Sequence, residues 1–263
     1  MTGTITTPPV VATSRSRTSG WTAIATVYVM QLARGRVARG PLLFVATLQS
    51  FGILLLLGGV VHRHDVSTAS AIVAGSTVLV VAFVGLNLLA QRFGALRAGR
   101  ALDYYAALPI PASAVVLGCA GSYATFTIPG ALATAIVGAA AYGLGFAQLW
   151  LVVPVVLVSG VALAGVGAAI GLALPRAELA TVAGQLAMTA VLFLGIIPPS
   201  HLPVVLRGVR DAVPSMLAVD VLASALRDTA SVGGVLWRLG LTLAYGVAAL
   251  AVAGVAFRKA VSR

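Results

Sequence analysis

The side chains able to do chemistry are few, and they lie at the margins of apolar runs. The six carboxylates, Asp65, Asp103, Glu178, Asp211, Asp220 and Asp228, all fall in loops or at the ends of hydrophobic stretches. A charge at mid-membrane depth costs about 2.5–3.5 kcal/mol on insertion scales and is usually kept for function. Their placement therefore disfavours a proton- or sodium-coupled carrier built on a buried acid, although backbone carbonyls leave another route to ion binding. His62, His64 and His201 also stand outside the runs. Two rings spaced His-x-His point to different sides of a helix, and no cluster of Cys or carboxylates completes a metal site. No apolar run holds a histidine that could activate a buried serine. The single lysine, Lys259, lies between Arg258 and Ala260, so the phosphate-cradling GxxxxGK[ST] loop is missing. The chain reads as non-catalytic and without a cofactor of its own, and any ATP-driven work would need hydrolysis on another chain. Cys119, the one cysteine, excludes an intramolecular disulfide and reads as a small packing residue.

Composition explains this poverty of chemistry. Hydrophobic residues make up 60% of the chain, charged residues 9%, and the mean hydropathy is +1.05. Globular domains lie near about 45–50% and 25%, so this is a polytopic membrane protein. At about 20 residues per crossing, 263 residues supply about six spans and leave no room for a separate soluble domain. The net charge of +11 is not a nucleic-acid signature, because a DNA binder clusters its basic residues on a solvated face. Here they flank apolar runs, as topology and anionic headgroups require.

Residues 1–20 are rich in Thr, Ser and Pro and read as a disordered cytoplasmic tail. The remainder, 21–263, reads as one all-α transmembrane domain. Trp21, Ile24, Val27, Tyr28 and Leu32 recur at helical spacing and are followed by Arg34, Arg36 and Arg39. That pattern predicts a helix over 21–36 lying in the membrane interface, the alternative being the start of the first span. Spans are predicted at about 41–61, 69–90, 114–143, 149–174, 179–197 and 235–257. Between the fifth and sixth, PVVLRGVRDAV and SMLAVDVLASALRD read as two short outer helices at the membrane surface. Gly167 and Gly171 have the small-xxx-small spacing that permits close helix contact.

Orientation follows from the basic residues, which are retained on the cytoplasmic side. With both termini inside, Arg15, Arg17, Arg34, Arg36, Arg39, Arg92, Arg97, Arg100, Arg176, Arg258, Lys259 and Arg263 are cytoplasmic. Arg63, Arg207, Arg210, Arg227 and Arg238 are outside. The bias supports six spans in the cell membrane with both ends cytoplasmic.

Two groups of residues remain as functional candidates. Uncharged polar side chains inside the spans, Gln49, Asn87 and Gln185 among them, either pair between helices or line a cargo path with Phe51, Met188 and Phe193. Such a path, mostly aliphatic and without fixed charge, suits a lipophilic or amphipathic cargo. The second group is the charged island RAGRALDYYAALPIPASAVVL from Arg97 to Leu117. Its adjacent tyrosines could enter a protein groove while Arg97, Arg100 and Asp103 orient them, or could anchor at lipid headgroups. Pro109 would end the short helix firmly.

The segment GRALDYYAALPIPASAVVLG, with the interfacial helix, six spans and outer helices around it, resembles the membrane subunits of ABC-2 type exporters. These include daunorubicin-resistance-like drug and lipid exporters. In that family an acidic residue precedes an apolar run, a Pro-containing turn, and then the next span with a glycine. By resemblance Asp103 holds the acidic position, and Leu102, Tyr104, Tyr105 and Leu108 the apolar and aromatic knobs. Pro109 and Pro111 hold the turn, and Gly118 the glycine. Asp103 stands where Glu is more usual, and Cys119 where a basic residue is common. The resemblance implies a short cytoplasmic coupling helix docked on an ABC ATPase subunit that binds ATP and Mg. It also implies a second permease chain, identical or similar, with spans 1, 2 and 5 lining the cavity between the pair. A secondary carrier or channel without an ATPase, and a membrane scaffold or assembly factor, are the competing functions.

Overall fold

The computed structural model describes residues 19–34, 39–58, 65–108, 110–196, 203, 208, 210 and 213–261. All regular structure among them is helical. The helices are α1 (Gly20–Arg34), α2 (Arg39–Gly58), α3 (Val66–Ala98), α4 (Ala101–Ala107) and α5 (Ala112–Tyr142). They continue with α6 (Val152–Ala173), α7 (Ala177–Ile196), α8 (Pro214–Leu226) and α9 (Val232–Val261). Among the described residues, α3, α5, α6, α7 and α9 are long and apolar enough to cross a membrane. The 20 residues of α2 match a span in length, and its sequence is apolar over most of it, Thr47–Leu56 included. The protein is an all-α membrane protein.

α3 is the axle of the bundle. Asp65 caps its start, accepting from the backbone N–H groups of Ser67 and Thr68 at 3.1 Å each. Beyond the cap the sequence is apolar all round, and such a helix must be surrounded. α2, α5, α6, α7 and α8 pack around it, and nearly every residue from Ala69 to Ala90 is buried. The span expected to stop near Ala90 runs on to Ala98. Two local features allow this. The backbone passes through a π-helical stretch at Phe83–Leu88, and Gln91 donates to the buried Asn87 side chain at 2.8 Å. Phe93 and Leu96 then keep one face of the extension in the core.

Glycines set how close the neighbours come. A Cβ on Gly167 of α6 would lie 2.2 Å from the Gly85 carbonyl oxygen, and one on Gly171 2.5 Å from that of Ala90. The Gly167/Gly171 pair thus fits α6 against α3 within the chain. From the other side, Gly94 meets Ala180 and Gly184 meets Ala90, which seats α7. α9 lies along α6 through Gly165 and Gly246.

The helix expected in the membrane interface is α1, and its packing is specific. Ala23, Val27 and Gln31, four residues apart, are buried against α5. Gly118 receives Val27, Tyr28 hydroxyl pairs with Thr125 Oγ1 at 3.1 Å, and Gln31 Nε2 donates to Cys119 Sγ at 3.1 Å. Trp21 is left 81% exposed at the opposite side. α8 is the second of the two expected outer helices. It does not merely rest on a surface: Met216, Ala218, Val219, Val221 and Leu222 are buried against the spans. The tail 1–18, Arg36, Arg63, His62, His64, His201, Pro109 and most of the first outer run lie outside the described residues.

Candidate coupling surface and pathway

α4 follows α3 after a two-residue turn at one end of the bundle. Gly99 closes α3, its N–H bonding to the Ala95 carbonyl at 2.9 Å, and Arg100 takes a left-handed backbone, φ 54°, to redirect the chain. Such a conformation is uncommon for a residue with a side chain, so the joint is a defined corner. At the far side Leu108 is extended, and Pro111 precedes α5 with the fixed φ suited to a helix start.

The seven residues of α4 present two faces. Leu102 and Tyr105, three apart, are 3% and 5% exposed and belong to one apolar cluster with Phe93, Leu96, Val116, Leu172 and Phe257. Leu108 packs against the same cluster. Asp103 and Tyr104 face outward, Tyr104 being 69% exposed. The two tyrosine rings meet edge to face at 5.9 Å. Of the expected knobs, then, Leu102 and Tyr105 hold α4 onto its own bundle, and Tyr104 is the aromatic that projects. A run of adjacent aromatics cannot disclose this division; only the rotation of α4 against Phe93 and Phe257 does.

Arg97 sits in the last turn of α3, not on α4. Its guanidinium donates to the Leu172 carbonyl at 2.5 Å, satisfying one of the open acceptors at the end of α6. Arg100 is exposed. The same end of the bundle gathers Arg176, Arg258 and Lys259, and its described carboxylates are Asp103 and Glu178. The described charged residues of the opposite end are Asp65, Asp220 and Asp228 with Arg210, Arg227 and Arg238.

The pathway candidates do not converge on one chamber. Phe51 lines a cavity of about 210 Å³ between α2 and α5, with Leu54 and Tyr142, and none of the other five lines it. Gln49 is half-buried on α2. Asn87 and Met188 are buried inside the bundle. Gln185 and Phe193 lie on the outer face of α7 with Val182 and Leu186. Several other polar residues bond within the chain: Thr127 to the Ala124 carbonyl, Thr189 to that of Gln185, and Thr125 to Tyr28. Ser50 is fully buried and its hydroxyl has no described partner.

Sequence reasoning missed one ion pair. Arg210 is almost fully buried and grips Asp220 of α8 through two contacts, 2.5 and 3.4 Å. A pair ten residues apart lies beyond the three- and four-residue reach of side chains on one helix, so no local spacing rule could have found it.

A family model described as ABC-2 type transporter matches residues 23–226, from within α1 to the end of α8. A comparison with curated proteins finds no match.

Proposed function

Because the chain belongs to the ABC-2 type transporter family, we propose that it is the permease subunit of an ABC exporter, paired with a second permease chain. ATP and Mg are bound and turned over by separate ABC ATPase subunits. The observation that carries this reading is α4: a short helix fixed from beneath by Leu102 and Tyr105, offering Asp103 and Tyr104 outward at the most basic end of the molecule. A rigid helix held at both ends transmits a push, and an exposed aromatic beside charged groups is a common interface anchor. Arg97 and Arg100 fix the corner from which the helix projects, and Leu108 and Pro111 the exit into α5.

The same reading sets topology and location. The basic end faces the cytoplasm, both termini lie on that side of the cell membrane, and α2 completes six spans. Partner permease and cargo meet the faces that α2 and α7 leave open, with Phe44 and Leu48 on one and Val182, Gln185, Leu186 and Phe193 on the other. These apolar faces with a single amide suit a lipophilic or amphipathic cargo. α3 contributes little to that cavity wall, since its side chains are enclosed by its own chain; its part is to connect α4 to the bundle.

The test is a pair of variants. Tyr104→Asp weakens association with the ATPase about tenfold or more, the scale of an interfacial aromatic hot spot, and leaves the melting temperature unchanged. If Tyr104→Asp and Asp103→Arg both leave ATPase association and cargo-stimulated hydrolysis at the wild-type level, α4 is not the coupling helix.

A further inference from the structure

A groove of about 530 Å³ opens on the α4 side of the bundle, between the last turns of α6 and α9. Along α9 its wall runs from Val252 through Val255 and Ala256 to Lys259, a single stripe at helical spacing. Arg97 enters from the end of α3, and no described acidic residue lines it. The groove exists because alanines occupy much of its lining, and because Val252 and Val255 are left exposed, not packed against a neighbour.

We propose that this groove holds one anionic phospholipid of the leaflet on the α4 side. Its phosphate lies between Arg97 and Lys259, and an acyl chain lies along Val252 and Val255. Three observations converge on that occupant. Polarity changes along the groove in the order of the lipid itself, from aliphatic to cationic over the eight residues from Val252 to Lys259, about 10 Å of helix. Both basic side chains are in last helical turns, at the depth where basic pockets between spans bind headgroups. Arg97 is already held by its bond to the Leu172 carbonyl, so a guanidinium with further donors is pre-positioned at little entropic cost. A choline headgroup brings its own cation to this place and is disfavoured; free phosphate lacks the chain that fills the apolar wall. The bound lipid would tie α3 to α9. The proposal is independent of ATPase docking and of which side of the membrane α4 faces.

Native mass spectrometry of the full-length protein, released from nanodiscs containing equal phosphatidylglycerol and phosphatidylcholine, reads the site directly. The wild type retains one phosphatidylglycerol in preference to phosphatidylcholine, and added inorganic phosphate does not displace it. Lys259→Gln reduces that preference roughly fivefold, as expected for one cation near the headgroup plane. Val252→Trp, which fills the groove, lowers retention of the lipid. Equal retention of the two lipids by the wild type overturns the proposal, as does an unchanged preference in Lys259→Gln. Displacement by phosphate alone assigns the site to a free anion and also overturns it. Lys259 is exposed in the last turn of α9, so Lys259→Gln folds and decides the matter even if Val252→Trp does not.

Discussion

Tyr104 and Tyr105 are neighbours of the same type with opposite duties, and the division can be measured. Tyr105 lies in the cluster that fastens α4 to α3, α5 and α9, so Tyr105→Ala costs about 3 kcal/mol, as for other buried aromatics, and lowers the melting temperature. Tyr104→Ala leaves the melting temperature within a degree or so of wild type, because the ring is exposed. Thermal melts of the two variants in one detergent check this, and equal losses would contradict the two-faced description of α4. Asp65 gives a second prediction at this scale. Its carboxylate accepts from the Thr68 and Ser67 hydroxyls and then from their backbone N–H groups, which holds its pKa down at about 2 from an ordinary 3.8. A group with a lowered folded pKa stabilises above its unfolded value and loses that contribution as pH falls through the folded one. The melting-temperature difference between wild type and Asp65→Ala is therefore constant above pH 5 and shrinks as pH falls from about 4 towards 2. A difference that persists below pH 2 would show that the cap does not act through the charged carboxylate. These residues mark how far the sequence could be read. Asp103, Tyr104 and their island stand out by charge among apolar runs, whereas the inward turn of Leu102 and Tyr105 depends in large part on Val116, Leu172 and Phe257, all more than ten residues away.

At the scale of elements, hydrophobic runs and their breaks are the signal by which a sequence places spans, because a membrane helix must be long, apolar and bounded by polar residues. The end of α3 escaped that logic. Gln91 and Arg92 look like a terminus, yet Asn87 and the π-helical stretch absorb the polarity and the helix continues. The glycines are equally ambiguous from sequence: Gly167 and Gly171 could have met a partner chain, and they meet α3. Between spans there is no hydrophobic drive, so close backbone approach supplies the packing. Gly171→Leu places a side chain where the Ala90 carbonyl, Phe93 and the Gly94 amide already lie. It destabilises the protein by at least about 1–3 kcal/mol, which detergent denaturation measures. Because α3 leads directly into α4, the same variant lowers cargo-stimulated ATP hydrolysis more than Gly254→Leu on α9, where a Cβ meets nothing within 4 Å. Equal effects of the two would mean that α3 is not the transmitting element.

The whole molecule is asymmetric in charge and in coverage. One end holds an excess of arginine around α4, and the other holds, among the described residues, acids and arginines in equal number, with the buried Arg210 paired to the partly exposed Asp220 so that α8 is tied to the segment before it. Asp220→Ala removes a charged hydrogen-bond acceptor from the buried Arg210 guanidinium and is expected to cost about 1.5–3 kcal/mol in stability while leaving ATPase association intact, since α8 and α4 sit at opposite ends. In coverage, α3 is enclosed while α2, α7 and α9 keep long apolar faces open. An enclosed axle with open flanks is suited to assembly with a second chain, and in the proposed function ATP hydrolysis falls to another chain, since this sequence has no phosphate loop. The most direct test of the central claim is purification of the tagged chain from its native membranes in mild detergent, followed by assay of ATP hydrolysis and subunit stoichiometry. Two permease chains with two ABC ATPase chains are expected, with loss of the ATPase in Tyr104→Asp while the permease pair stays folded. A chain that purifies without any ATPase, and transports its cargo unaided after reconstitution, would contradict it.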